Sequence, residues 1–146
     1  VRDDSRAVIE LGIPAEPAFA RLARLTAAQL ARRHGFTYRE VEDLRLAVDE
    51  AMVALLAPDD PGADLEIRYT VGPGCIEIDF TGRAVATDER ADRFDTMVAD
   101  LVDERSLDRT GHNIRLVKRH QPAADGPADR GEATPAAEPG TGLKGI

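Results

Sequence analysis

Along the first 120 residues, apolar and polar positions follow two periods, one of about two and one of about 3.6, that mark out strands and helices in turn. Ile9, Leu11 and Ile13 fall on one side of an extended segment that Pro14 ends, which predicts a first strand. Phe19, Leu22, Leu25/Thr26 and Leu30 then form a helical stripe, and a first helix is expected from about Pro17 to His34, stopping at Gly35. Thr37 and Glu40 have the spacing of a capping box, so a second helix should start near Tyr38 and end before Pro58. Its apolar positions are Leu44, Val48, Ala51/Met52 and Leu55, while Glu50 and Ala54 share a face that is neither wholly core nor wholly solvent.

Leu65–Val71 and Cys75–Phe80 alternate with period two on either side of Gly72-Pro73-Gly74, which predicts an antiparallel hairpin with one polar face. Phe94, Met97, Val98, Leu101 and Val102 match a third amphipathic helix over about Glu89–Asp103. Asn113–Arg119 reads as a last strand. The order is β-α-α-β-β-α-β, an α+β two-layer sandwich whose mostly antiparallel sheet carries helices on one face. Residues 121–146 are rich in Pro, Ala, Gly, Asp and Glu and nearly devoid of large apolar side chains, so a disordered tail is expected there, with a flexible N-terminus over 1–6 and one domain over 7–120.

The 146 residues and 42% hydrophobic content suit one modest core. No apolar run is long enough to span a bilayer and the start lacks the order of a signal peptide, so a soluble cytoplasmic protein with no membrane partner is expected. Cys75 is the single cysteine, and His34, His112 and His120 are scattered, which disfavours disulfide, redox and metal-site chemistry. A formal net charge of −8 argues against direct nucleic-acid binding. All but two of the 19 basic residues are arginine, a composition that fits a GC-rich bacterial source. Arg21, Arg24 and Arg32 fall in one arc of the first helix. That arc is either a solvated face or a docking surface for an acidic partner.

Leu44-Arg45-Leu46-Ala47-Val48-Asp49-Glu50-Ala51 resembles the N-box helix of the GHKL (Bergerat-fold) ATPases. The closest likeness is to the branch of bacterial anti-sigma factors that are also switch-protein serine kinases, the RsbW and SpoIIAB type, and to its divergent actinobacterial members. Leu101–Glu104 and Ile114–Arg119 look like that branch's last helix and strand. The resemblance implies ATP and Mg²⁺ as cofactors, a sigma factor and a STAS-type anti-anti-sigma protein as partners, a possible homodimer, and Glu50 as the general base toward the partner's serine hydroxyl. Asp79 matches the aspartate that accepts a hydrogen bond from adenine, with Gly82 as a following glycine one place late, and Arg21 and Arg24 are the candidate partner contacts.

The chain departs from that pattern at three points. Ala54 stands where the family has a Mg²⁺-holding asparagine, and a methyl group offers no oxygen to a hard cation. Only Gly82 of the spaced glycines is present. Asp88-Glu89-Arg90-Ala91-Asp92-Arg93-Phe94 replaces the glycine-rich phosphate loop with a segment whose three carboxylates repel phosphate. The expected function is an anti-sigma-factor-like regulator countered by an anti-anti-sigma partner. The alternatives are an active ATP-dependent serine/threonine kinase acting on that partner, and a remnant domain serving another ligand or dimerisation.

Overall fold

The computed structural model describes residues 6–57, 59–83, 86–108, 110 and 112–122. The expected flexible N-terminus over 1–6 therefore lies, apart from Arg6, outside the described residues, as does the expected tail beyond residue 122. The elements run β1 (Ala7–Pro14), a 3₁₀ turn (Pro17–Phe19), α1 (Ala20–Arg33), α2 (Tyr38–Leu55), β2 (Asp64–Gly72), β3 (Cys75–Thr81), α3 (Asp88–Val98), β4 (Glu104–Asp108) and β5 (Asn113–Arg119). The five strands form one antiparallel sheet in the order β1-β2-β3-β5-β4. No helix among the described residues is long and apolar enough to cross a membrane.

Alternation in the hairpin decides which sheet face is covered. Leu65, Ile67, Tyr69 and Val71 of β2 and Ile76, Ile78 and Phe80 of β3 all point under the helices and are buried. Pro73 and Gly74 turn the chain between these strands, and Gly74 takes the positive φ of 68° that such a turn needs. The other face of the sheet is polar. α2 lies at the centre of the helical layer, burying Val41, Leu44, Ala47, Val48, Ala51, Met52, Ala54 and Leu55. Ala54 is thus a core residue, although its spacing from Glu50 suggests a mixed face.

Two elements differ from the sequence expectation. Of the stripe expected for α1, Phe19 and Leu30 pack partly buried against the core, but the fully buried positions are Ala23, Ala27, Ala28 and Ala31, and Leu22 and Leu25 are 46% and 45% exposed. Close approach explains this: α1 lies near enough to the sheet for the buried Tyr69 hydroxyl to donate to the Ala23 carbonyl at 3.0 Å, and alanine methyls at the closest positions allow that separation. The third helix ends at Val98 rather than near Asp103, and the chain then forms an additional strand, β4, beside β5. Lys118 on β5 donates to the Leu101 carbonyl at 2.8 Å and the Asp103 amide donates to Val117 at 2.9 Å, so backbone groups that would have continued the helix are used by the sheet.

One carboxylate ties the two layers together at their far end. Glu40 accepts from the Thr37 amide at 2.7 Å while Thr37 accepts from the Glu40 amide at 3.2 Å, completing the capping box expected from sequence. The same carboxylate accepts from the Gln121 amide at 2.8 Å and meets His120 Nδ1 at 2.9 Å, just beyond β5. Burial pushes the Glu40 carboxyl upward, but the hydrogen bonds from Gln121, His120 and Thr37 outweigh it and bring its pKa down from 4.5 to about 2.

Glu40→Gln should lower stability by about 1–3 kcal/mol near neutral pH, the usual worth of hydrogen bonds to a charged group. The folded state holds the carboxyl below its ordinary value, so this contribution is complete above pH 4.5 and is lost as pH falls through about 2. Urea unfolding of both chains across that range should show the two stabilities converging at the acid end.

Candidate functional site

The site expected from sequence centres on α2, and Glu50 lies where α2 meets α3. Its side chain is only 13% exposed. Both carboxylate oxygens are engaged by one guanidinium: Arg93 Nε donates to Oε2 at 2.9 Å and Nη2 donates to Oε1 at 3.1 Å. This is the paired fork geometry that suits arginine to a carboxylate. The hydrogen bonds and charge of Glu50 push Arg93 above its ordinary pKa, so the guanidinium stays charged.

α3 is positioned by successive side chains on one face. Thr87 caps it by accepting from the Arg90 amide at 3.2 Å, and Asp88 and Glu89 occupy the first turn, where carboxylates complement the helix dipole. Arg90 Nη1 donates to the Leu56 carbonyl at 3.1 Å, satisfying a backbone group at the C-terminal end of α2. Phe94 and Val98 enter the core.

Asp79 and Glu50 are not brought together. Ile78 and Phe80 face the helices, so Asp79 points to the open side of the sheet. There the strand register aligns Glu10, Arg68, Asp79, Arg115 and Ser106 in one row, with alternating charge over its first four members. Arg115 reaches Asp79 at 3.3 Å and Glu77 at 2.8 Å, and Arg68 lies 4.0 Å from Glu10. A shallow groove of about 360 Å³ runs beside this row, lined by Asp79, Thr81, Ser106, Asn113 and Arg115 among others. The position two residues before Gly82, on the helix-facing side, is held by the fully buried Phe80.

Gly82 is needed for packing. A Cβ built there would lie 2.8 Å from Leu65 Cδ1 and 3.9 Å from both the Leu55 Cβ and carbonyl oxygen. Its amide donates to the His112 carbonyl at 3.1 Å, extending the pairing of β3 with the β5 side of the sheet just past the end of β3. Of the two arginines expected to meet a partner, Arg21 is exposed. Arg24 is only partly so, because its Nη1 donates to both oxygens of Asp49, at 3.1 and 3.0 Å, across the α1–α2 pair.

The chain resembles the RsbW serine-protein kinases. It is 36% identical over 73 residues to serine-protein kinase RsbW of Bacillus subtilis, covering 48% of this chain and 46% of that protein. The Oceanobacillus iheyensis RsbW is 34% identical over 83 residues, with 55% and 52% covered. A Listeria monocytogenes RsbW is 26% identical over a longer stretch of 106 residues, 70% of this chain and 68% of the relative. The chain spans about half the length of the first two of these curated relatives. No family model matches it. Among solved structures, the RsbU and RsbW domains of a Mycobacterium tuberculosis protein superpose with a TM-score of 0.59 at 17% identity, over 80% of this chain and 34% of that one. The fold is the GHKL-type fold of an RsbW domain.

ATP and Mg²⁺, which the RsbW likeness implies, do not fit the residues present. The carboxylate expected to act as base is held by Arg93, Ala54 offers no oxygen and is buried, and Asp79, matched to the adenine aspartate, lies on the sheet face away from the helices. The α3 N-terminus presents Asp88 and Glu89 in the turn where phosphates would need bare backbone amides.

Arg93 is the residue that sequence reading missed. Its signal was the i, i+3 spacing of Arg90 and Arg93, which sets both on the α3 face bearing Phe94, in a segment otherwise read for its carboxylates. Gly82→Ala should destabilise the fold by about 1–3 kcal/mol, because the added methyl forces Leu65 off its buried position. Chemical denaturation against the parent chain measures this, and an unchanged midpoint would mean that the glycine is not needed for packing.

Proposed function

We propose that this chain is a regulator of the RsbW type that works by protein capture, holding a sigma factor and surrendering it to a STAS-type anti-anti-sigma protein. The observation that carries this reading is the outer surface of α1 and its flanks. Residues 17–39 contain five arginines, Arg21, Arg24, Arg32, Arg33 and Arg39, and no carboxylate, in a chain whose formal net charge is −8. Leu22 and Leu25 stand half exposed between these charges. A basic rim around exposed apolar side chains suits an acidic, amphipathic protein segment, with the charges guiding encounter and the leucines supplying buried area. Arg21 is the leading contact; Arg24 contributes through the part of its guanidinium that Asp49 leaves open.

The names of the relatives favour a second reading, in which phosphate passes from ATP to a serine hydroxyl of the partner with Glu50 accepting the hydroxyl proton. That reading requires Glu50 to part from Arg93 and a Mg²⁺ site to form without an oxygen at position 54. Transfer of labelled phosphate from ATP to a captured STAS-type protein would establish it.

Capture is tested by affinity purification with the full chain from a bacterial lysate, followed by titration of the purified partner. A sigma factor or STAS-type protein should be retained. Arg21→Glu should weaken its binding about tenfold, near 1.4 kcal/mol, and flatten the dependence of affinity on salt. Retention of neither partner class would contradict the proposal.

A further inference from the structure

We infer that Glu50 and Arg93 form a fixed ionic clamp that fastens α3 against α2 in place of a nucleotide, so that the chain keeps one closed arrangement whether or not ATP·Mg²⁺ is present. This goes beyond the capture function and does not depend on which protein is captured.

Three attachments on successive turns of α3 carry the inference. At its start Arg90 holds the Leu56 carbonyl at 3.1 Å, one turn later Arg93 holds both oxygens of Glu50, and Phe94 and Val98 are buried in the core beneath. The apolar pair supplies most of the adhesion, since burying such side chains outweighs what an ion pair at a surface contributes. The ion pair fixes orientation and meets the need of Glu50. With its side chain 13% exposed, that carboxylate is poorly hydrated and would be left without a counterion if α3 swung away. Arg93 is 57% exposed and gives up little hydration to stay.

A nucleotide entering between α2 and α3 would have to break each of these attachments. The two arginines facing the junction are the groups a triphosphate would seek, and both are already engaged, one by a carboxylate and one by a carbonyl. Withdrawing Arg93 would set the Glu50 charge directly against the phosphates. Phe80 and Ala54 beneath offer no polar atom of their side chains in compensation.

The test is a double-mutant cycle on the full chain, with Glu50→Gln, Arg93→Gln and the double variant melted with and without millimolar ATP·Mg²⁺. Each single change should lower Tm by about 2 to 5 °C, and the double should fall no further than the worse single, because the two side chains act as a pair. ATP·Mg²⁺ should shift none of the four Tm values. Amide exchange across residues 88–98 gives a second readout that does not rest on cooperative melting, and Arg93→Gln should speed it equally with and without nucleotide. Additive Tm losses in the cycle, or a nucleotide-dependent rise in the parent's Tm or protection of α3, would overturn the inference. Sigma-factor capture is measured without nucleotide, so its failure would leave these outcomes untouched, and theirs would leave capture untouched.

Discussion

The burial of α2 on three sides is the constraint from which the rest of the molecule follows. α1 packs on one flank, the sheet beneath, and α3 on the other, so eight of its positions are core and only narrow strips between neighbours remain for polar side chains. Leu44, Val48, Met52 and Leu55 each contribute about 1.5–3 kcal/mol by leaving water, and these large side chains set the depth of the core. The alanines at 47, 51 and 54 let the neighbouring elements close in. The carboxylates of α2 are paired within the helix, as Glu42 is with Arg45, or to neighbouring elements, as Asp43 is with Lys118 of β5. Asp49 finds Arg24 on α1 and Glu50 finds Arg93 on α3, so the two flanking helices are each linked to α2 by an arginine.

The same logic of paired charges organises the opposite side of the molecule. Among the described residues no helix lies on the second sheet face, and alternating signs along the row from Glu10 to Arg115 let neighbouring strands neutralise one another in water. Asp79 belongs to this row. The polar centre that the RsbW likeness leads one to expect is thereby divided, with Glu50 in the helical layer and Asp79 beyond the sheet.

Much of this was readable in the sequence, where local chemistry and tertiary need agree. The Thr37–Glu40 box, the hairpin and the Glu50 helix are legible because capping, alternation and helical spacing act over a few residues. β4 was not, because Glu-Arg-Ser-Leu-Asp carries a single large apolar residue and an edge strand needs no more. At α1 the large apolar side chains of Phe19 and Leu30 reach the core, but the closest approach to Tyr69 falls at alanines, which hydrophobicity alone does not single out. Asp79 matches the adenine aspartate by its place at the end of the second hairpin strand, but the alternation of Ile76, Ile78 and Phe80 turns it outward. The Arg93–Glu50 pair joins residues 43 apart, so the spacing of Arg90 and Arg93 points to a shared face of α3 without naming Glu50 as the partner.

A chain can therefore keep the scaffold of a phosphotransfer fold while its charged groups are occupied in holding helices together. The resemblance to RsbW kinases extends over about half of the chain in sequence and over the fold in structure. The central claim, that Glu50 serves packing in place of nucleotide chemistry, is tested most directly by calorimetric titration of ATP·Mg²⁺ into the intact chain. The account predicts no heat beyond dilution at millimolar nucleotide. Saturable binding with one site per chain, abolished by Glu50→Gln, would contradict it.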